Sequence, residues 1–228
     1  MSRQDPLDDL GLSLRRGAAE IHVVRHADAV PDVEPGHEGD AAYDAYEGHP
    51  LSARGRAQAA ATGDRFAEAG LSALYASPTR RAMETAEAIA ERTGLRVQED
   101  ADVREVALGV LEGEMSLRRR LEALATIAIR EGGWSSIPGT EPSAEVRARM
   151  LRAVDRIAKR HPGQRVAIVS HAGAINALLG AVAQSPHDFI FPIANASISV
   201  VRASAQRRLL MSANETAHLR AFPARLAS

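Results

Sequence analysis

Arg165-Val-Ala-Ile-Val-Ser170 is a run of apolar, largely β-branched residues, and the small turn His171-Ala172-Gly173 separates it from an apolar stretch that continues through Ala183. The run has the length and composition of a buried β-strand, and the stretch after it has those of a helix. An earlier segment, Ile21-His-Val-Val-Arg25-His26, is a second β-branched run that ends in a histidine. Both runs predict strands that are buried in a sheet.

Helical and extended patterns alternate around these two strands. The predicted helices run from a cap at Ser52 to about Ala69, from a cap at Ser77-Pro78 to Gly94, over 114–131, over 143–160 and after His171. Further strands are predicted at 71–76 and, as a closing hairpin, near 196–202 and 207–213. The alternation predicts an α/β fold: a single three-layer domain with a mostly parallel central sheet covered by helices on both faces.

The predicted domain covers residues 19–220, after an N-terminal extension at 1–18 and before a tail at 221–228. Within it, residues 114–142 are expected to form a cap or insertion. A stretch at 30–50 is rich in proline, glycine and acidic residues, so it predicts a long loop that is either a binding loop or a solvated insertion.

The bulk composition excludes several classes of protein. The chain of 228 residues is 45% hydrophobic and 25% charged, which is typical of a soluble globular protein. Its net charge of -1 gives no global attraction to nucleic acid or to anionic membranes. The chain has no cysteine, so it has no disulfide, thiolate metal ligand or cysteine nucleophile. No apolar leader or membrane-length segment is seen, and the expected location is the cytoplasm.

The polar residues at the strand ends suggest chemistry on phosphate. In parallel sheets ligands bind at the carboxyl ends of the strands, where His26 and His171 should both emerge. A neutral imidazole is a nucleophile toward phosphorus, and arginines such as Arg25 and Arg81 match phosphoryl oxygens with paired hydrogen bonds. The turn that begins at Ala172 is small enough for the backbone to approach a ligand.

Five segments, in order along the chain, resemble the successive motifs of the histidine phosphatase superfamily, which has the phosphoglycerate mutase-like fold. They are Val23-Val-Arg25-His26, Pro50-Leu-Ser-Ala-Arg-Gly-Arg-Ala-Gln58, Ser77-Pro-Thr-Arg-Arg81, Arg104-Glu105 through Gly113, and Val169-Ser-His171-Ala-Gly173. Two later segments, Asn195-Ala-Ser197 and Asn214 to Leu219, resemble the tail of its broad-specificity phosphatase branch. The resemblance covers residues 20 to 219.

The resemblance implies a phosphomonoester hydrolase that acts through a phosphohistidine on a small phosphorylated metabolite. The implied catalytic residues are His26 as nucleophile, Glu105 as the acid that protonates the leaving alcohol and then as base toward water, and Arg25, Arg81 and His171. The implied phosphate pocket consists of Arg25, His26, Arg81, His171 and Ala172. No cofactor or metal is implied. The flanking arginines are expected to keep His26 neutral, and the substrate phosphate to hold Glu105 protonated.

Alternative functions remain open within and outside this family. A phosphoglycerate-type mutase is disfavoured by the resemblance of the tail to the broad-specificity phosphatase branch and by the lack of an asparagine at 32–34. A protein-phosphohistidine phosphatase is suggested by the sequence Arg-His-Ala27-Asp28, but proteins of that family are typically shorter. A binding protein with a degenerate pocket is disfavoured because all five catalytic positions are filled. A metal hydrolase would use the loop residues His37, Glu38, Asp40 and His49, which lack helical His-Glu-x-x-His spacing. The expected partner is a small-molecule phosphate ester, not nucleic acid or membrane; a homodimer is compatible with the sequence, which leaves the oligomeric state open.

Overall fold

The computed structural model of the chain describes residues 7, 12–14, 17–29, 48–107 and 117–221. Most of the predicted N-terminal extension, the greater part of the predicted acidic loop, the segment 108–116 and the end of the tail lie outside these ranges.

The described residues form one six-stranded sheet. Its strands are β1 (Ala19–Arg25), β2 (Leu71–Ala76), β3 (Val97–Glu99), β4 (Arg165–Ser170), β5 (Ile198–Ala203) and β6 (Arg208–Glu215). They lie in the order β3-β2-β4-β1-β5-β6, and the first four are parallel, whereas β5 and β6 are antiparallel to their neighbours. The predicted hairpin at the end of the chain is therefore present, and the mostly parallel sheet is confirmed.

Five α-helices connect these strands in the described part of the chain. They are α1 (Ala53–Phe66), α2 (Arg80–Thr93), α3 (Leu117–Glu131), α4 (Ser143–Arg160) and α5 (Ala172–Val182), with short 3-10 turns at Ala101–Val103, Trp134–Ser136 and Ala217–Leu219. None of the described helices is long and apolar enough to cross a membrane.

Alternate residues of the central strands face two separate hydrophobic layers. In β4, Val166 and Ile168 pack with residues of α4 and α5, whereas Ala167 and Val169 pack with Phe66 of α1 and residues of α2. A strand that is buried on both faces needs apolar residues at every position, which explains the uninterrupted run in its sequence. This arrangement confirms the predicted three layers.

The predicted start of α2 is wrong. The residue before this helix is Thr79, whose side chain makes no capping hydrogen bond, and the Ser77 hydroxyl does not cap the helix. The Ser77 Oγ atom lies 2.8 Å from Nε2 of His171, so the hydroxyl is already engaged by the imidazole. The predicted end is confirmed, because Gly94 terminates the helix with φ of +71°.

Candidate active site

The two strand-terminal histidines lie side by side at the carboxyl end of the sheet. Strands β1 and β4 are parallel neighbours, and Arg25 pairs in register with Ser170. The backbone N–H of His26 donates to the Ser170 carbonyl at 2.8 Å. The imidazole centroids of His26 and His171 are 5.0 Å apart. The parallel register therefore brings together two residues that are far apart in the sequence.

Arg81 connects both imidazoles from the first turn of α2. Its side chain is among the largest fully buried ones in the described residues, with 1% exposure. Nε donates to Nε2 of His26 at 3.3 Å, and Nη2 lies 3.2 Å from Nδ1 of His171. Because a guanidinium has only donors, the nitrogens of His26 and His171 that face it act as acceptors.

The hydrogen bonds of His26 define its tautomer. Its Nδ1 atom lies 2.8 Å from the Ala27 carbonyl oxygen, which can only accept, so Nδ1 carries the proton. Nε2 then bears the lone pair. Burial, followed by the positive charges of Arg81 and Arg25, lowers the pKa of His26 well below its ordinary value. The imidazole is thus neutral, as the sequence predicted, with Nε2 facing the guanidinium of Arg81.

His171 is held as the opposite tautomer. Because Nδ1 accepts from Arg81, Nε2 carries the proton and donates to the Ser77 hydroxyl at 2.8 Å, with Thr79 Oγ1 at 3.4 Å. Burial, followed by the charge of Arg81, lowers the pKa of His171 well below its ordinary value. Ser77 orients this ring, a role that the sequence analysis missed because the serine resembled a helix cap.

Arg25 and the backbone of His26 are braced by the loop that leads into β5. Nη1 of Arg25 donates to the Ile193 carbonyl at 2.6 Å, and Nδ2 of Asn195 donates to the His26 carbonyl at 3.2 Å. The Ala196 N–H donates to the Arg25 carbonyl at 3.1 Å. Asn195 and Ala196, which the sequence singled out only through a family resemblance, therefore support the end of β1 and the residue that follows it.

The chain just after His26 is fixed to the start of α1. The Ser52 hydroxyl accepts the N–H of Gly55 at 2.9 Å, as predicted for a helix cap, and donates to the Asp28 carboxylate at 2.5 Å. A Cβ atom at Gly55 would lie 1.8 Å from the Asp28 carbonyl oxygen, so only glycine allows this approach. Asp28 thereby joins the chain after His26 to the start of α1.

Glu105 lies at the N-terminus of α5, immediately beyond His171. Its Oε1 atom accepts the N–H groups of Ala174 and Val106, both at 2.9 Å, and Oε2 accepts that of Gly173 at 3.3 Å. A helix N-terminus favours a negative group at this position. A Cβ atom at Gly173 would come within 2.8 Å of Oε1 and also of Trp134 Cζ2. Glycine is therefore required for the carboxylate to reach the helix.

The remaining predicted positions are only partly within the described residues. Ala172 provides the first N–H of α5, and no described residue accepts a hydrogen bond from it. Of the four loop residues in the metal alternative, His49 is described and buried, and the other three lie outside the described ranges. His22, in the middle of β1, is buried and packs edge-to-face on Phe66 of α1.

Comparisons with known proteins identify the family of the chain. The chain matches the model of the histidine phosphatase superfamily (branch 1) over residues 21–216. Phosphoglycerate mutase-like protein 4 of Arabidopsis thaliana is 31% identical over 189 residues, which is 81% of this chain and 79% of the relative. The probable phosphoglycerate mutase GpmB of Salmonella newport is 28% identical over 177 residues, or 73% and 76% of the two chains.

Among solved structures, a mycobacterial glucosyl-3-phosphoglycerate phosphatase superposes with a TM-score of 0.68 at 25% identity, covering 86% of this chain and 99% of that one. The resemblance found in the sequence motifs is thus confirmed over most of the chain. On these grounds the chain belongs to the histidine phosphatase superfamily, a family of phosphatases and phosphoglycerate mutase-like enzymes.

Proposed function

We propose that the protein is a metal-independent phosphomonoesterase that hydrolyses a small phosphorylated metabolite through a phosphohistidine on Nε2 of His26. One observation carries the proposal: the Nδ1 proton of His26 is held by the Ala27 carbonyl at 2.8 Å, and the Nε2 lone pair faces the Arg81 guanidinium. A neutral imidazole with a fixed lone pair beside a buried cation suits attack on a phosphate that this cation binds.

The phosphate pocket is proposed to consist of Arg25, His26, Arg81, His171 and the Ala172 N–H. Arg81 donates to both imidazoles. An incoming phosphoryl group offers its oxygens as stronger, charged acceptors, so Arg81 would transfer its hydrogen bonds to them. That transfer releases the Nε2 lone pair of His26 at the moment when phosphorus is within reach.

The reaction has two balanced steps. The Nε2 lone pair of His26 forms the N–P bond while the P–O bond to the alcohol breaks, and Glu105 gives its proton to the departing oxygen. Water then attacks phosphorus, Glu105 takes a proton from that water, and the N–P electron pair returns to Nε2. Three backbone N–H groups hold the Glu105 carboxyl group at the N-terminus of α5.

The leaving group is proposed to lie under residues 114–142, which we assign as a cap on a catalytic domain that spans 19–220. Trp134 of this segment is buried and lies against Gly173, beside the Glu105 carboxylate. Specificity in such folds resides in the segments around the site, and this segment supplies an aromatic wall there. The similarity to a glucosyl-3-phosphoglycerate phosphatase supports a phosphorylated metabolite as the substrate.

The direct test is hydrolysis of p-nitrophenyl phosphate in the presence of a chelator. The wild type should be active, and His26→Gln should lose activity and no longer form an acid-labile, base-stable phosphoprotein. His22→Gln is a matched control, because His22 lies in β1, the strand that ends just before His26, but packs on Phe66 in the core. Turnover that survives in His26→Gln would exclude the phosphohistidine mechanism.

A mutase is the second candidate because two relatives carry phosphoglycerate mutase names. A mutase must retain the phosphohistidine long enough to return the phosphoryl group to a second hydroxyl. Interconversion of phosphoglycerates stimulated by 2,3-bisphosphoglycerate should be negligible in this protein. Interconversion that is faster than the release of inorganic phosphate would favour the mutase.

A further inference from the structure

A second buried arginine, Arg149, lies behind the predicted acid. It projects from the middle of α4, and its side chain is only 3% exposed. A guanidinium that is removed from water must satisfy its donors within the protein. The hydrogen-bond acceptors of Arg149 therefore show which part of the chain it holds in place.

Three of these partners are backbone carbonyls of the segment that carries Glu105. Nη1 donates to the carbonyl oxygens of Asp102 at 2.8 Å and Arg104 at 2.7 Å, and Nη2 donates to that of Glu105 itself at 3.0 Å. The segment is a 3-10 turn followed by irregular chain, so it has no helix or sheet to fix it. One planar group thus fixes the backbone from which the carboxylate extends.

Glu141 completes the arrangement from the other side. Its two carboxylate oxygens accept from Nε of Arg149 at 2.7 Å and from Nη2 at 3.0 Å. Burial raises the pKa of Glu141, but the hydrogen bonds and charge of Arg149, together with the Ala107 N–H and the charge of Arg104, lower it overall. Glu141 also exchanges backbone and side-chain hydrogen bonds with Ala107, two residues beyond Glu105.

We infer that Arg149, paired with Glu141, is a positioning residue for Glu105, and that it sets the reach of the acid toward the leaving oxygen. The inference rests on the proposed function, because it concerns the position of the same Glu105 carboxyl group that is proposed as the general acid. A general acid is effective only within hydrogen-bond reach of the oxygen that it protonates. A displacement of about 1 Å caused by a distant substitution can cost on the order of 100-fold in rate.

Arg156 provides a matched control on the same helix. It lies two turns further along α4, and its guanidinium binds the side chains of Asp100 and Asp102 at 2.6 and 2.9 Å. Removing Arg156 therefore breaks ion pairs to the start of the same segment but leaves the Glu105 carbonyl bound to Arg149.

The experiment compares Arg149→Met with Arg156→Met on p-nitrophenyl phosphate and on the alkyl phosphate that the wild type hydrolyses best. The two variants are compared by kcat/KM, because this parameter reports the first phosphoryl transfer and not the later hydrolysis of the phosphohistidine. Arg149→Met should lower kcat/KM for the alkyl phosphate by about 100-fold. It should have little effect on kcat/KM for the aryl phosphate, because a good leaving group needs no acid. Inhibition by inorganic phosphate should also be unchanged, because Arg149 hydrogen-bonds to none of the proposed phosphate-binding residues. Arg156→Met should change neither substrate.

Equal losses of Arg149→Met on both substrates, or weaker inhibition by phosphate, would overturn the inference while leaving the proposed function intact. If Arg149→Met does not fold, Arg149→Lys serves the same test, because it keeps a charge near Glu141 but cannot span the three carbonyls. Failure of the proposed function is distinguishable, since the wild type would then show no turnover that depends on His26.

Discussion

Nε of Arg81 lies 3.3 Å from Nε2 of His26, so the lone pair that is proposed to attack phosphorus accepts a hydrogen bond from the arginine that is proposed to bind phosphate. Nη2 of the same guanidinium lies 3.2 Å from Nδ1 of His171. The two imidazoles therefore accept from one buried cation as opposite tautomers, and burial, followed by the charge of Arg81, lowers the pKa of both. Phosphate binding and the release of the nucleophile become a single event in the proposed mechanism.

Arg81→Met should raise the pKa of His26, because it removes one of the two charges that lower it. It should also reduce kcat/KM by about 10²- to 10³-fold, since a preorganised donor to the transferring phosphoryl group is lost. The pKa is measured by NMR titration of the imidazole. Arg80→Met is the control, because Arg80 is exposed and binds Glu84 on the helix surface. An unchanged His26 titration in Arg81→Met would contradict the coupling.

Glu105→Gln should affect substrates according to their leaving groups. The amide keeps the size of the carboxylate but cannot give up a proton to the departing oxygen, so kcat/KM for alkyl phosphates should fall by about 10²- to 10⁴-fold. The aryl leaving group of p-nitrophenyl phosphate needs no proton, and its kcat/KM should fall far less. Equal losses on both substrates would argue against general acid catalysis by this residue.

Stability should fall as the pH is lowered from above to below the ordinary histidine pKa of 6.5. The folded-state pKa values of His26 and His171 are depressed, so the unfolded chain binds more protons in this range and becomes favoured. Each histidine contributes a slope of up to about 1.4 kcal/mol per pH unit, beginning below 6.5 and ending at its lowered folded-state pKa.

The measurement is the free energy of unfolding in urea at about pH 5.5 and about pH 7.5, on either side of the ordinary histidine pKa. The double variant His26→Gln/His171→Gln should show a shallower dependence than the wild type. Part of the dependence should remain, because burial also lowers the pKa of His218. Identical slopes for the two proteins would contradict the buried neutral state of the pair.

Gly173→Ala should impair catalysis, because the new Cβ atom would lie 2.8 Å from both the Glu105 carboxylate and the Trp134 ring. The carboxylate must move away from the N-terminus of α5, so alkyl phosphates should be hydrolysed more slowly. Trp134 is the only tryptophan of the chain, and its emission should shift in the same variant.

Gly94→Ala is the control for the glycine variant. A Cβ atom there meets nothing within 4 Å, but its φ of +71° strains any other residue, so stability should fall by about 1 kcal/mol without loss of activity. Activity in Gly173→Ala that matches the wild type would show that the carboxylate can leave the helix at no cost to catalysis.

Local patterns predicted most of the fold because they report local physics. The run at 165–170 is apolar at every position because a strand with helices on both faces has no polar side, and the structure places β4 at those residues. Helix α4 and strand β2 also lie at the predicted positions. The prediction for the start of α2 is wrong because a serine before a proline is a local signal for a helix cap. The Ser77 hydroxyl instead hydrogen-bonds His171, which lies 94 residues away in the sequence.

The candidate site was predicted as a set of residue types and not as an arrangement. Motif order along the chain brought His26, Arg81, Glu105 and His171 into one hypothesis, and the sheet register places the two histidines together. The supporting residues carry no such signal. Arg149 resembles an ordinary helix arginine in sequence, and only its burial against three carbonyls distinguishes it from Arg156.

The layered α/β class and the strand ends from which the histidines emerge could be predicted from periodicity and composition, which act over a few residues. The family was predicted from the resemblance of the motifs to those of known proteins. The tautomers of His26 and His171, the attachment of Glu105 to α5 and the burial of Arg149 became visible only in the folded chain. Each of these depends on hydrogen bonds between segments that are distant in the chain, and their geometry is fixed only when the sheet and its helices have packed.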